Sequence, residues 1–153
     1  MSTMIKGQDV ATIQAGIHVH RATATIAADG DIFSVDTGRV ILLGLVGRVT
    51  VEIGAGSQDI ELDLDPDDGG SNVALSSLLL IDGDVVGTMY TLNTTAGGAF
   101  VEGLDVAYNA ILATPIVLQP GDLWLDVTGT EAGSIEWDVW YIPLDTGGVI
   151  TAV

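Results

Sequence analysis

The chain has 153 residues, a length that predicts one domain, and 48% of them are hydrophobic, which excludes an intrinsically disordered chain. It has no cysteine, so disulfides, thiolate metal sites and cysteine nucleophiles are excluded. Its 21 acidic residues against four Lys and Arg give a net charge of −17, which disfavours partnership with nucleic acid or an anionic membrane surface.

The acid excess has two interpretations. One is an acidic protein that meets a basic partner or binds cations. The other is adaptation to molar salt, where a Debye length of about 3 Å screens the self-repulsion of so acidic a surface.

The first residues predict an arm rather than part of the domain. Residues 1–15 precede the first clear strand pattern, and such segments often become ordered on a partner. They show no secretory signal. No membrane span is expected either, because the longest apolar stretch, Val40 to Val46, falls well short of the roughly 20 residues that a spanning helix needs. We therefore expect an arm, 1–15, and one domain, 16–153.

The first two thirds of the domain have the patterns of β-strands separated by glycine-containing turns. Alternation of apolar and acidic residues is clearest in Ile60–Asp65. Further strands are predicted at Gly16–Ala27, Asp31–Asp36, Arg39–Ile53, Val73–Ile81 and Val85–Leu92.

The last third begins with an ambiguous segment, Leu104–Ala113, whose apolar spacing allows a short helix that ends before Pro115. Two alternating strands follow at Leu123–Thr128 and Ile135–Ile142, and the glycines of 129–134 predict a hairpin loop between them. The predicted fold class is all-β, a jelly roll or antiparallel β-sandwich of about eight strands.

Some strands are apolar on both faces, namely Val40–Leu43, Leu78–Ile81 and the last strand at Trp140 and Ile142. A two-layer sandwich has one inner face per sheet, so the extra apolar face needs a cover. We expect a neighbouring subunit to cover it; local loops or the arm are the alternative.

Two candidate metal sites stand out. His18 and His20 project from the same face of a strand and could bind zinc with a carboxylate, although nothing nearby completes a known spacing, and a surface or interface pair is the favoured interpretation. An acidic turn resembles the start of a calcium loop but has Asp68 and Ala74 where that loop needs Gly and Glu, so a solvated turn is favoured over an irregular calcium site. Its carboxylates are Asp63, Asp65, Asp67 and Asp68.

No arrangement of residues specifies a reaction. Carboxylates are so abundant that no pair stands out, and no Gly-x-Ser-x-Gly elbow is present. We therefore expect neither an enzyme nor a bound cofactor.

Residues 115–147 carry a resemblance to a known family. A Leu-Gln-Pro-Gly turn, Leu118 to Gly121, precedes one strand, and the final strand contains Trp137 and Trp140 and closes with Tyr141-Ile142-Pro143-Leu144. This resembles the closing hairpin of jelly-roll decoration (cement) proteins on the capsids of tailed viruses. The acidity and the scarcity of Lys depart from bacteriophage members, and a halophilic archaeal or marine bacterial host would reconcile them.

The resemblance implies a homotrimer on the outer surface of the virion, bound to the viral major capsid protein over the junctions between capsid subunits. The implied role is structural. The residues expected to form its interfaces, from the arm and the last strand, are Met4, Ile5, Lys6, Val10, Ile13, Trp140 and Ile142.

Two other functions remain open. A carbohydrate-binding or sugar-cleaving jelly-roll module would use Trp124 or Trp140 as a stacking platform, although core or interface positions are favoured for both. Another virion part, such as a tail or fibre subunit, would use the same sandwich.

Overall fold

The computed structural model describes residues 15–93, 97–103, 112 and 114–153. Within them the chain forms twelve strands: β1 (Ile17–Thr25), β2 (Gly30–Asp36), β3 (Val40–Val51), β4 (Asp59–Pro66), β5 (Val73–Ala74), β6 (Leu79–Leu80), β7 (Met89–Thr91), β8 (Val101–Gly103), β9 (Ile116–Leu118), β10 (Gly121–Thr128), β11 (Ser134–Pro143) and β12 (Val149–Ala152).

The strands build two antiparallel sheets that pack face to face. The first sheet has the order β1-β11-β3-β7-β8, with β9 also paired to β3. The second has the order β12-β2-β10-β4-β5, with β6 also paired to β4. The predicted all-β antiparallel sandwich is confirmed, but it has more strands than the eight expected.

The extra strands are short and lie where the sequence has too few residues to show alternation. The predicted strand Val73–Ile81 is two separate pairs of residues, β5 and β6, and Val85–Leu92 contributes only β7. Strands β8, β9 and β12, of three or four residues each, were not predicted.

The predicted hairpin between the last two long strands is wrong. β10 belongs to the second sheet and β11 to the first, so the connection between them arches across the sandwich. Within this connection Gly133 packs closely against Ile53, where a Cβ would lie 2.9 Å from the Ile53 side chain. Alternation identified both strands correctly, but period-2 patterning does not say which strands pair.

The core forms from the inward side chains of both sheets. On β11 these are Ile135, Trp137, Val139 and Tyr141, all buried. The Trp137 ring lies against Gly47 of β3, where a Cβ would meet the ring at 2.6 Å.

The structure accommodates in two ways the segments whose sequence is apolar on both faces. In β3, the register shifts opposite Trp140 and Tyr141, so that Leu43 is an extra residue in a bulge and is buried with Leu42. In 78–81, Ile81 is buried, whereas Leu78 and Leu80 are 50% and 55% exposed. Part of the predicted surplus apolar surface is therefore at the edge of the second sheet.

Two predicted segments lie outside the described residues. These are the arm apart from Ala15, and the ambiguous segment 104–113 apart from Leu112. Leu112 is buried and donates its backbone N–H to the Leu43 carbonyl. In the part of the chain that the structure describes, no helix has the length and hydropathy needed to cross a membrane. The predicted division into arm and domain stays a prediction.

Candidate interaction surfaces on the outer faces of the two sheets

The outer face of the first sheet brings together residues that are far apart in the sequence. In the β1–β11 ladder, His18 lies opposite Trp140 and His20 opposite Asp138. Because cross-strand partners share a face, both imidazoles lie beside the outward side chains of β11. We call this surface the histidine face and define it by His18, His20, Asp138, Trp140 and Ile142.

One carboxylate joins the two imidazoles. The Asp138 Oδ1 atom lies 2.6 Å from Nε2 of His18 and 3.0 Å from Nδ1 of His20. The His18 ring also stacks on Trp140, with ring centroids 4.9 Å apart and an interplanar angle of 26°. Each imidazole is 48% exposed, so solvent reaches the cluster.

The remainder of the histidine face is apolar or charge-paired. Ile142 pairs across the sheet with Ile41, and Ile41 pairs with Val117, which is 53% exposed. Further along, Arg48 and Glu136 form an ion pair with Nε and Oε1 2.7 Å apart. Apart from the carboxylate of Asp138, the charges of this face are therefore paired.

Two of the residues that the sequence analysis assigned to interfaces lie on the histidine face. Trp140 and Ile142 are half-buried on the histidine face, on the outer side of the sheet. The arm residues Met4, Ile5, Lys6, Val10 and Ile13 lie outside the described residues. Sequence reasoning missed Asp138 as the partner of the histidines. The alternation of β11 predicts that Asp138 lies on the outer side of the strand. It does not predict that the histidines of β1 lie beside it.

The outer face of the second sheet is different. Trp124 of β10 lies between Asp63 of β4 and Asp31 of β2 in register, and Asp122 faces Asp65 across the sheet. Of the three tryptophans, only Trp137 lies in the core. We call this surface the carboxylate face and define it by Trp124 and the acidic residues Asp31, Asp59, Glu61, Asp63, Asp65, Asp122 and Asp126.

The carboxylates of this face perturb one another. Partial burial, then repulsion from neighbouring acids, raises the pKa values of Asp31, Glu61 and Asp63 above their usual range. The Oδ1 atom of Asp63 is buried without a hydrogen-bond partner. Among the described residues, no ion pair involves a carboxylate of this face. Like charges opposite one another in a sheet are destabilising, so this face is held together at an electrostatic cost.

The predicted calcium residues are spread over this face and the turn that follows it. Asp63 and Asp65 lie on β4, whereas Asp67 and Asp68 are exposed in the turn after it. The Oδ1 atom of Asp68 accepts the Gly70 N–H at 2.9 Å. In the described ranges, no three His, Cys, Asp or Glu side chains are arranged to hold a metal ion, so neither the calcium nor the zinc alternative gains support.

Arg39 and Arg21 make no ion pair with the carboxylate face. Arg39 binds Asp145 through Nε and Nη2 at 2.8 and 2.9 Å, and its hydrogen bonds lower the pKa of Asp145 to about 2. Arg21 donates to the carbonyls of Val153 and Asp31 at 2.9 and 3.4 Å, which ties β1 of the first sheet to the second. Partial burial lowers the pKa of Arg21.

A pocket of about 110 Å³ opens beside Arg21, at the connection that leads from β1 in the first sheet to β2 in the second. It is lined by polar groups of Arg21 and Asp29 and by the apolar side chains of Ile32 and Leu125. Asp29 is already engaged, because its Oδ1 accepts the Val127 N–H at 2.8 Å. The pocket is a gap that Arg21 bridges at the edge of the sandwich.

Comparisons of the chain with protein-family models, with curated proteins and with solved structures found no match.

Proposed function

We propose that this chain is a structural virion protein that decorates and stabilises a viral capsid. It forms a homotrimer over the junctions between capsid subunits and lies on the outer surface of the capsid, bound to the major capsid protein. The resemblance of residues 115–147 to decoration proteins of tailed viruses motivates the proposal. The host that fits the acidity is a halophilic archaeon or a marine bacterium.

The observation that carries the proposal is the contrast between the two outer faces. The histidine face combines the half-buried Trp140 and Ile142 with the Arg48–Glu136 ion pair. The carboxylate face has seven acidic residues in register and, within the described residues, no ion pair. Copies that each carry a charge of −17 repel one another, so assembly favours the contact that leaves the carboxylate faces in solvent.

A three-fold ring also needs a second surface. The interface in such a ring is heterologous, so one surface of each copy meets a different surface of the next. Exposed apolar side chains on the short edge strands beside β4 supply a candidate, since Val73 and Leu80 are 54% and 55% exposed. This edge belongs to the other sheet, so it is a different surface from the histidine face, as a heterologous contact requires.

The mechanism is added interface area and involves no catalysis. A trimer that binds several capsid subunits stabilises the shell by mass action, because it binds the assembled state and not the separated subunits. The arm would supply the capsid contact through its apolar residues and Lys6. It enters the domain at Gly16, beside Leu43 and the Tyr141 carbonyl.

The first test measures the oligomer. We expect sedimentation velocity in molar salt to give a trimer, and Ile142→Asp to convert it to monomer because a charge enters the apolar contact. The matched control is Val86→Asp, at an apolar residue of a loop that is 57% exposed, which should remain trimeric. A wild-type chain that is monomeric at micromolar concentrations in both low and high salt would refute the proposal.

The second test separates the arm from the domain. A chain that lacks residues 1–15 should remain a folded trimer by circular dichroism and sedimentation, but should no longer co-sediment with capsids. Full occupancy of capsids by the truncated trimer would place the attachment surface on the sandwich. Loss of folding would instead show that the arm is part of the domain. Capsids without tails serve as the target, because binding to them distinguishes a head protein from a tail or fibre subunit.

One observation favours a second candidate function. Trp124 is half-buried on the outer face of a sheet with Asp31 and Asp63 beside it, an arrangement that suits stacking on a sugar ring with acids near its hydroxyls. A glycan array tests this carbohydrate-binding alternative. Binding that is lost in Trp124→Ala and kept in Trp140→Ala would favour it over capsid decoration.

A further inference from the structure

We propose that the His18–Asp138–His20 cluster makes the charge of the histidine face depend on pH, and that its protonated form strengthens contact between this face and a second copy of the chain. The inference rests on the proposed function, because it concerns the contact that builds the trimer.

The geometry couples both imidazoles to one oxygen atom. Nε2 of His18 and Nδ1 of His20 lie 2.6 and 3.0 Å from Asp138 Oδ1, so each ring donates a hydrogen bond to the same acceptor. Imidazole is the side chain whose charge ordinarily changes between pH 5 and 8. With both rings neutral the cluster carries the negative charge of Asp138, and with both protonated it is positive.

The other charged groups around the cluster leave this change uncompensated. On β11, Glu136 is paired with Arg48 of β3 at 2.7 Å. On β1, Arg21 donates its hydrogen bonds to the carbonyls of Val153 and Asp31. The next strand in contact with β1 is β12, which carries no ionisable side chain. The charge of the cluster therefore sets the local charge of the face.

Protonation also acts on the neighbouring tryptophan. The His18 ring stacks on Trp140 at 4.9 Å, and a cationic ring is attracted to the indole face more strongly than a neutral one. Protonation thus strengthens the stacking that orients Trp140, one of the residues assigned to the contact. A side chain that is already ordered loses less entropy when the contact forms.

A second copy of the chain is the occupant that the charges favour. Every copy has a net charge of −17, so a face that becomes positive is complementary to most of the surface of its neighbour. In a ring, this face meets a different surface of the next copy and does not meet its own histidines. Assembly should therefore strengthen as the pH falls.

The test compares the trimer dissociation constant at pH 5.5 and 7.5, at equal ionic strength, by sedimentation velocity on the full chain. For the wild type we expect a constant about tenfold lower at pH 5.5, a common size for coupling between two binding events. The reference is the double variant His18→Gln, His20→Gln, which keeps every carboxylate and should lose most of this change. Both histidines are half exposed, so the substitutions should not impair folding.

A second variant tests the role of the shared oxygen. Asp138→Asn keeps the shape of the side chain but removes one negative charge from the histidine face, so the trimer dissociation constant at pH 7.5 should fall below that of the wild type. An equal pH dependence in the wild type and the double variant would overturn the inference and leave the trimer standing. A chain that is monomeric at both pH values would overturn the inference and the proposed function together.

Discussion

Gly47 shows how one residue determines the packing of the core. It lies opposite Trp137 in the β3–β11 ladder, and a Cβ at this position would approach three atoms of the indole ring, the nearest at 2.6 Å. The ring is fully enclosed, with only 1% of its surface exposed, so it has little room to shift. Trp137 also contacts Phe100, at 5.8 Å between ring centroids.

We therefore expect Gly47→Ala to lower the free energy of unfolding by about 1–3 kcal/mol, the usual cost of overpacking a core. Urea denaturation followed by tryptophan fluorescence measures it. Gly30→Ala is the matched control, because a Cβ at Gly30 would meet nothing within 4 Å. Equal stability of the two variants would show that the Trp137 ring moves freely to accommodate a methyl group.

At the same scale, the histidine cluster marks the limit of prediction from sequence. His18 and His20 were correctly placed on one face of a strand, and alternation put Asp138 on the outer side of β11. Their contact joins residues 120 positions apart, and nothing in the local pattern of either strand specifies the other as its partner. The residues were therefore predictable one by one, whereas the cluster was not.

At the level of strands, the long elements were predictable and their arrangement was not. β1, β2, β3, β4, β10 and β11 each have enough residues for alternation or a continuous apolar run to appear. The short edge strands exist because β3 and β4 offer unpaired backbone groups to residues that pass alongside them. That opportunity arises from the tertiary fold, so the sequence of β5 or β9 alone contains little sign of it.

The alignment of β4 with β10 has a consequence for acid stability. It places Glu61 opposite Asp126 and Asp63 opposite Trp124, and the pKa values of Glu61 and Asp63 are raised by burial and by neighbouring carboxylates. A raised pKa means that the folded state binds protons more tightly than the unfolded chain. The stabilisation from protonation is therefore absent at neutral pH and appears as the pH falls through the raised values.

We expect the melting temperature to rise as the pH is lowered from 7 toward the ordinary carboxyl range, near 4.5 for Glu and 3.8 for Asp. Below that range it should fall, because the pKa of Asp145, lowered to about 2, contributes stability that is lost as this group takes up protons. The double variant Glu61→Gln, Asp63→Asn should be more stable than wild type at pH 7 and show a flatter profile. The control is Asp67→Asn in the exposed turn. A wild-type melting temperature that declines steadily from pH 7 downward would contradict the argument.

For the molecule as a whole, stability depends on where the charges lie as well as on the net charge of −17. The described ion pairs lie on the histidine face or at the Arg39–Asp145 turn, so the repulsion within the carboxylate face is relieved only by solvent and its ions. Salt should therefore stabilise the fold by screening this repulsion, since the Debye length shortens from about 10 Å at 0.1 M to about 3 Å at 1 M.

The melting temperature should therefore rise between dilute buffer and about 1 M potassium chloride, most steeply at the lower concentrations. A flat or falling curve would exclude adaptation to salt. Millimolar calcium at constant ionic strength provides the comparison, because a large shift from calcium alone would indicate a specific site among Asp63, Asp65, Asp67 and Asp68. If calcium acts only by screening charge, the melting temperature should change little at constant ionic strength.

The position of β1 determines how the domain would respond to tension. The strand begins directly after the arm and is paired with β11 from Ile17 to Thr25, while β3 holds β11 from its other side. A pull on residue 15 along the strand axis loads this ladder in shear, so that its hydrogen bonds are strained together and not broken one after another. Resistance to such a load is set by the rate of unfolding rather than by equilibrium stability. A domain tethered through its arm would thus transmit force into the middle of its first sheet.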